Sequence, residues 1–154
     1  MIPRIVDDAG LVAEIAAGDK EGALKELIAA ARAGGAFPDK VGKAMYKRLL
    51  EREAIGSTGL GNGVAVPHVK HEGVERMALV LGRARAGLEW HAIDGRPVHV
   101  LFLLVSPADQ PEVHLQCLRW IAMLARNADF RRFLLDAEGP DAMRELLREM
   151  QPKG

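Results

Sequence analysis

The segment Glu53 to His68, EAIGSTGLGNGVAVPH, concentrates the residue types that could do chemistry. Glycines stand at 56, 59, 61 and 63. A backbone this permissive can turn several N–H groups toward one point and make a nest for an anion. Ser57, Thr58 and Asn62 add side-chain donors to the same stretch. The triplet Val64-Ala65-Val66 reads as a short strand that delivers His68 at its end, and Pro67 stiffens the approach and has no N–H of its own. Imidazole is partly unprotonated at neutral pH and can carry a covalent intermediate. Such a ring beside an anion nest suits nucleophilic attack on phosphorus. Glycine-rich loops and strand-end histidines also serve purely structural roles, so the residues alone leave both readings open.

The elements that must position this segment can be read from periodicity. Leu24, Leu27, Ile28 and Ala31 have helical spacing over Glu21 to Arg32, and Gly34-Gly35 ends that helix. Pro38-Asp39 opens a second helix with Val41, Met45 and Leu49 on one stripe, running to about Arg52. Arg52 falls three positions after Leu49, on the core side, just before the glycine stretch. The alternatives are a functional cation and an arginine that satisfies a helix C-terminus. Gly56 to Gly63 is predicted as a loop. Met77 to Arg83 reads as a strand. Val98 to Val105 reads as a central strand, because it is apolar on both faces. A helix follows from about Gln110 to Arg126, with Asp109 and Glu112 spaced as a capping box and Pro111 in the first turn. Two amphipathic helices, near Asp129 to Asp136 and Pro140 to Met150, complete the chain. The expected architecture is one α/β domain over residues 1–154, with a core from about 20 to 150 and a central mixed sheet flanked by helices.

The 154 residues carry 21 Lys plus Arg against 21 Asp plus Glu, which gives no support to nucleic-acid or anionic-membrane binding. One cysteine, Cys117, permits no internal disulfide and fits a reducing cytosol. The N-terminus lacks the apolar core of a signal peptide, and the longest apolar run is too short to span a bilayer. A cytoplasmic location is expected. His71 stands three residues beyond His68, a spacing that suits a metal pair on a helix but not after a strand, so no metal site is expected. His91 and His99 read as surface or turn residues, Cys117 as a small core hydrophobe, and Trp90 and Trp120 as packing anchors. From periodicity alone His114 reads as a core histidine, on the face of Leu118, Ile121 and Ala125.

The string around His68 resembles the active-site signature of enzyme IIA of the fructose–mannitol class of the sugar phosphotransferase system, including its nitrogen-regulatory branch. Glu53, Leu60, Gly61, Val64, Ala65, Val66, Pro67 and His68 fall in the pattern. The segment at Trp90, the turn Asp94-Gly95-Arg96-Pro97-Val98 and the helix start Val113-His114-Leu115 extend the likeness over roughly residues 20 to 150. One departure is Val69, followed by Lys70, where the pattern usually has a small residue or Asn. A β-branched side chain there is expected to narrow the approach to His68 or to change which donor docks.

The resemblance implies a phosphotransferase/anion-transporter-type fold, and His68 as the phosphorylated nucleophile. It implies catalytic roles for His114 and Arg52, with phosphate held by Ser57, Thr58, Gly61 and Asn62. It further implies an HPr-like phosphocarrier as donor, and a downstream protein or IIB subunit as recipient. No cofactor is needed, because the donor supplies an activated phosphoryl group. The solitary domain favours a nitrogen-regulatory protein over a sugar-specific subunit. The alternatives are that sugar-specific subunit, a non-catalytic binding module on the same fold, and a metal-dependent hydrolase using His68, His71 and His114. Homodimer formation stays open.

Overall fold

The structure, a computed structural model, describes residues 2–152. Six helices and six strands follow in the order α1 (Ile2–Asp7), β1 (Gly10–Val12), α2 (Lys20–Ala33), a 3₁₀ turn (Asp39–Val41), α3 (Gly42–Ile55), β2 (Gly59–Gly61), β3 (Val64–Ala65), β4 (His68–His71), β5 (Ala78–Leu88), β6 (Val98–Pro107), α4 (Pro111–Arg126), α5 (Ala128–Asp136) and α6 (Pro140–Glu149). The strands form one mixed sheet in the order β1-β5-β6-β3-β2, with β4 also paired to β6. The α/β architecture anticipated above is therefore present.

β6 is the axis of the sheet. Its residues from Val100 to Val105 alternate between two buried clusters, which is what an apolar run covered on both faces requires. On one face Leu101, Leu103 and Val105 pack with Leu24, Leu27, Met45 and Leu49 of α2 and α3. On the other, Val100, Phe102 and Leu104 pack with Ile121, Leu124, Leu134 and Leu147 of α4, α5 and α6. β3 and β4 lie one after the other, parallel to β6. The pairing offset is the same on both sides of Pro67: Ala65 pairs with Leu101, and His68 with Leu104. Pro67 has no N–H to give the ladder, yet its carbonyl accepts from Leu104 N at 3.0 Å. The strand pauses there without slipping register, so His68 is indexed to the central strand.

Several elements differ from the sequence reading. The stretch predicted as a loop contains a hairpin: β2 runs antiparallel to β3, and Asn62 and Gly63 turn with φ of 59° and 76°. Asn-Gly is the pair that tight hairpin turns demand. The Asp109–Glu112 capping box does not form, and the N-cap of α4 is Gln110, without a side-chain cap. β5 continues past Arg83 to Leu88, which pairs with Val98 of β6, and Arg83 itself, 2% exposed, donates to the carbonyls of Ala13, Leu134 and Ala137 and so ties the sheet to the end of α5. α1 and β1 precede the expected core. Ile5 and Val6 are buried with α6, and β1 adds a parallel edge to β5.

Gly59 sits where β2 crosses the segment after Trp90. A Cβ there would lie 2.6 Å from Ala92 Cβ and 2.9 Å from Ala92 Cα, and a backbone atom cannot swing away. Gly59→Ala is expected to cost about 1–3 kcal/mol by overpacking. Urea denaturation checks this, and an unchanged midpoint would contradict the packing described.

Candidate active site

Three elements bring the site together. The end of α3 supplies Arg48 and Arg52, the start of β4 supplies His68 and Lys70, and the first turn of α4 supplies His114. With Glu51 these side chains line an open cleft of about 420 Å³. A second hollow, of about 260 Å³, shares Arg52 and His68 with it and adds Ser57, Thr58, Leu60 and Leu118. Ile55 and Leu60 stand exposed at the edges of these two spaces.

His68 is half-buried, with Nδ1 at 2.7 Å from the carbonyl oxygen of Val66. A carbonyl can only accept, so Nδ1 carries the proton and Nε2 keeps its lone pair. Burial lowers the pKa of the ring, and the charges of Arg52 and Lys70 lower it further, against opposing pulls from the Val66 carbonyl and Glu53. The ring is therefore neutral at pH 7, as a nitrogen nucleophile must be. His114 is 5% exposed, with its ring centroid 5.6 Å from that of His68 and the two planes at 55°. Its Nδ1 lies 2.6 Å from Ser106 Oγ. Burial, then the neighbouring His68 and Lys70, push its pKa down to about 4.

That depression has a thermodynamic consequence. An unfolded histidine takes a proton near pH 6.5, whereas folded His114 does not until about pH 4. Its contribution is fully present above pH 6.5 and is lost as the pH falls toward 4, a loss on the order of 3 kcal/mol. His68 acts with the same sign. Chemical denaturation at pH 7 and pH 4.5 is expected to show a smaller pH-dependent loss in His114→Gln than in wild type. Equal losses would contradict the assignment.

Arg52 serves as a helix-end arginine and also stands beside His68, where a functional cation would be placed. It donates from Nη1 to the carbonyl of Gly56 at 2.7 Å, which satisfies the chain just past α3, and it also lines both spaces beside His68. Arg48 lies one turn earlier on the same face and is held by the carbonyl of Lys70 and the carboxylate of Glu72.

The glycine stretch is organised otherwise than as an open anion nest. Thr58 N and Thr58 Oγ1 both donate to Glu53, and Trp90 Nε1 donates to Thr58 Oγ1 at 3.2 Å. Ser57 Oγ donates to the Trp90 carbonyl at 2.7 Å and accepts from Gly59 N. Lys20 closes the network, 2.6 Å from the Glu53 carboxylate and over the Trp90 ring. Asn62 N donates to Asp94, and Gly61 sits beside the same carboxylate. Ser57 and Thr58 thus reach the wall near His68 with their hydrogen bonds engaged, while Gly61 and Asn62 lie at the hairpin turn against Asp94. The amides of Thr58, Gly59 and Asn62 are likewise engaged by side chains.

Val69 forms part of the cleft floor but is 6% exposed, its side chain packed in the core with α2 and α3. His71 faces the side of β4 away from His68, as strand alternation requires, and its Nδ1 accepts from Gly73 N at 2.7 Å. A metal triad of His68, His71 and His114 is therefore not assembled. Cys117 is buried beside Met77, and its thiol is pushed up to about 11 by burial.

Sequence reasoning missed Ser106, Arg48 and Lys70. The spacing of Arg48 and Arg52 on one helix face, and of His68 and Lys70 on one strand face, were the available signals. Nothing in sequence links Ser106 to His114.

The family model for the phosphoenolpyruvate-dependent sugar phosphotransferase system, EIIA 2, matches residues 5–150. The chain is 30% identical to the nitrogen regulatory protein of Bradyrhizobium diazoefficiens, covering 95% of this chain and 94% of that protein. It is 30% identical to the fructose-specific EIIABC component of Bacillus subtilis over 85% of its own length, but spans only 20% of that larger protein. The crystal structure of the nitrogen regulatory protein IIA-Ntr from Neisseria meningitidis superposes with a TM-score of 0.85 at 28% identity, covering 95% of this chain and 98% of that one. These two likenesses to nitrogen regulatory proteins support that branch. With the match running almost end to end, the chain belongs to the EIIA 2 family of the sugar phosphotransferase system.

Proposed function

We propose that this protein is a phosphocarrier that accepts a phosphoryl group on Nε2 of His68 from an HPr-type phosphohistidine protein. It then passes the group to a downstream protein or IIB subunit, or signals by its phosphorylation state. The observation that carries the reading is the hydrogen bond from His68 Nδ1 to Val66, which leaves Nε2 unprotonated in a cleft shared with Arg52 and His114. The Nε2 lone pair attacks phosphorus in line. The P–N bond to the donor breaks, the donor nitrogen keeps that electron pair, and the new bond joins phosphorus to Nε2. The His68 ring gains positive charge as this bond forms, and the Val66 carbonyl offsets it through Nδ1–H.

Arg52 and His114 take the charge on the phosphoryl oxygens. Ser57, Thr58, Gly61 and Asn62 contribute by shaping the wall and hairpin beside the ring, since the hydroxyls of Ser57 and Thr58 and the backbone amide of Asn62 are engaged elsewhere. Exposed Ile55 and Leu60 offer a docking protein apolar ground near the nucleophile. The nitrogen-regulatory role is preferred, on a likeness to the Bradyrhizobium protein that covers nearly all of both chains. A sugar-specific role is the second reading, favoured by likeness to the Bacillus fructose component. Among the described residues no helix is long and apolar enough to cross a membrane, and we assign the protein to the cytoplasm.

Incubation with phosphorylated HPr-type carrier, followed by intact-mass analysis, tests the proposal. One acid-labile phosphoryl group per chain is expected, and an unmodified mass at carrier excess would contradict it.

A further inference from the structure

β6 ends in VSP after an unbroken apolar run, and its hydroxyl stands out there. Ser106 is 0% exposed. A buried hydroxyl without a partner costs about 1–3 kcal/mol, a cost that a hydrocarbon side chain does not carry. The partner present is Nδ1 of His114, at 2.6 Å. Sheet register ties this contact to the nucleophile: His68 pairs with Leu104, and Lys70 with Ser106 itself. One strand pair therefore sets the position of the acceptor ring and of the hydroxyl that holds the second ring.

We propose that Ser106 is a positioning residue for phosphoryl transfer: its hydroxyl donates to His114 Nδ1 and holds that ring in the Nε2–H tautomer, so that an N–H faces a phosphoryl group on His68. The inference rests on the reading of His68 as the acceptor. A neutral imidazole has one N–H and one lone pair, and a serine hydroxyl can pair with either. The choice is made at the other end of the ring. The oxygens of a phosphoryl group on His68 only accept, and a lone pair on His114 Nε2 would repel them. With Ser106 donating, both nitrogens of His114 are satisfied and the ring is held against rotation. With a hydrocarbon at 106, Nδ1 is left unpaired and neither the tautomer nor the ring angle is fixed.

Histidine ¹H–¹⁵N long-range spectra of the unphosphorylated protein test this directly, alongside the rate of phosphoryl acceptance from the HPr-type carrier. Wild type is expected to show His114 protonated at Nε2 and bare at Nδ1. Ser106→Val, which suits a buried strand, is expected to mix the tautomers and slow acceptance about tenfold, equivalent to about 1.4 kcal/mol of barrier. Ser106→Thr keeps the hydroxyl and is expected to restore both. A wild type protonated at Nδ1, or a Val variant with wild-type tautomer and rate, would overturn the inference alone. A wild type with the expected tautomer that accepts no phosphoryl group would overturn the phosphocarrier reading, while loss of that tautomer in Ser106→Val would still support the Ser106–His114 lock.

Discussion

His68→Ala is expected to abolish phosphoryl acceptance, a loss of roughly 10⁴-fold or more, while leaving the fold intact. The size of the effect follows from how the neighbouring histidines and hydroxyls are held. His114 is 5% exposed and its Nδ1 is engaged by Ser106. His71 faces the other side of β4, with Nδ1 bonded to Gly73. The hydroxyls of Ser57 and Thr58 donate to the Trp90 carbonyl and to Glu53. Stability is expected to change by no more than about 1 kcal/mol, because His68 is half-buried and its one bond is to a backbone carbonyl. Intact-mass analysis after incubation with phosphorylated carrier reads the first effect, and denaturant melts read the second. A fully phosphorylated alanine variant would move the nucleophile elsewhere.

Arg52→Ala is expected to slow acceptance by about 10²–10³-fold, the usual cost of removing one preorganised donor from a developing oxyanion. Three consequences of the change act together. The phosphoryl oxygens lose a guanidinium in the cleft. The Gly56 carbonyl loses its 2.7 Å partner, which loosens the exit from α3. The His68 pKa rises, because the Arg52 charge is one of the influences holding it down. The acid limb of the pH–rate profile should therefore shift to higher pH in the variant, a change that a purely structural arginine away from the ring would not produce. Arg52→Lys is expected to recover only part of the rate, since one ammonium cannot tether Gly56 and reach a phosphoryl oxygen with a planar fork. A wild-type rate and profile in Arg52→Ala would remove Arg52 from the mechanism.

The parts of the molecule legible in sequence were those that local pattern controls. β6 announces itself as an apolar run covered on both faces, and α4 by its helical period, although the face read as Leu115, Leu118, Ile121, Ala122 and Ala125 is rotated in the structure, where Leu115 is exposed and the buried stripe runs through His114, Cys117, Ile121 and Leu124. The parts that were not legible depend on partners distant in the chain. Thr58 looks like a free donor until Glu53 and Trp90 are brought to it, and Trp90 lies 32 positions away. Arg83 looks like the end of a strand until the carbonyls of Leu134 and Ala137 arrive, more than 50 positions on. Val69 reads as an obstruction because sequence does not say which side of β4 meets the core; the structure turns it inward. The Asn62-Gly63 turn was visible in principle, since both residues suit positive φ, but the density of glycines pointed first to an anion nest. α1 and β1 are too short to show a period at all.

With the Nδ1 proton of His68 committed to Val66, the atom proposed to take the phosphoryl group is Nε2. Uniformly ¹⁵N-labelled protein, phosphorylated by its carrier and observed by histidine ¹H–¹⁵N spectra with ³¹P coupling, reads this without mutation. The account predicts phosphorus coupled to Nε2 of His68, with Nδ1 still protonated. Coupling to Nδ1 of His68, or to either nitrogen of His114, would contradict it.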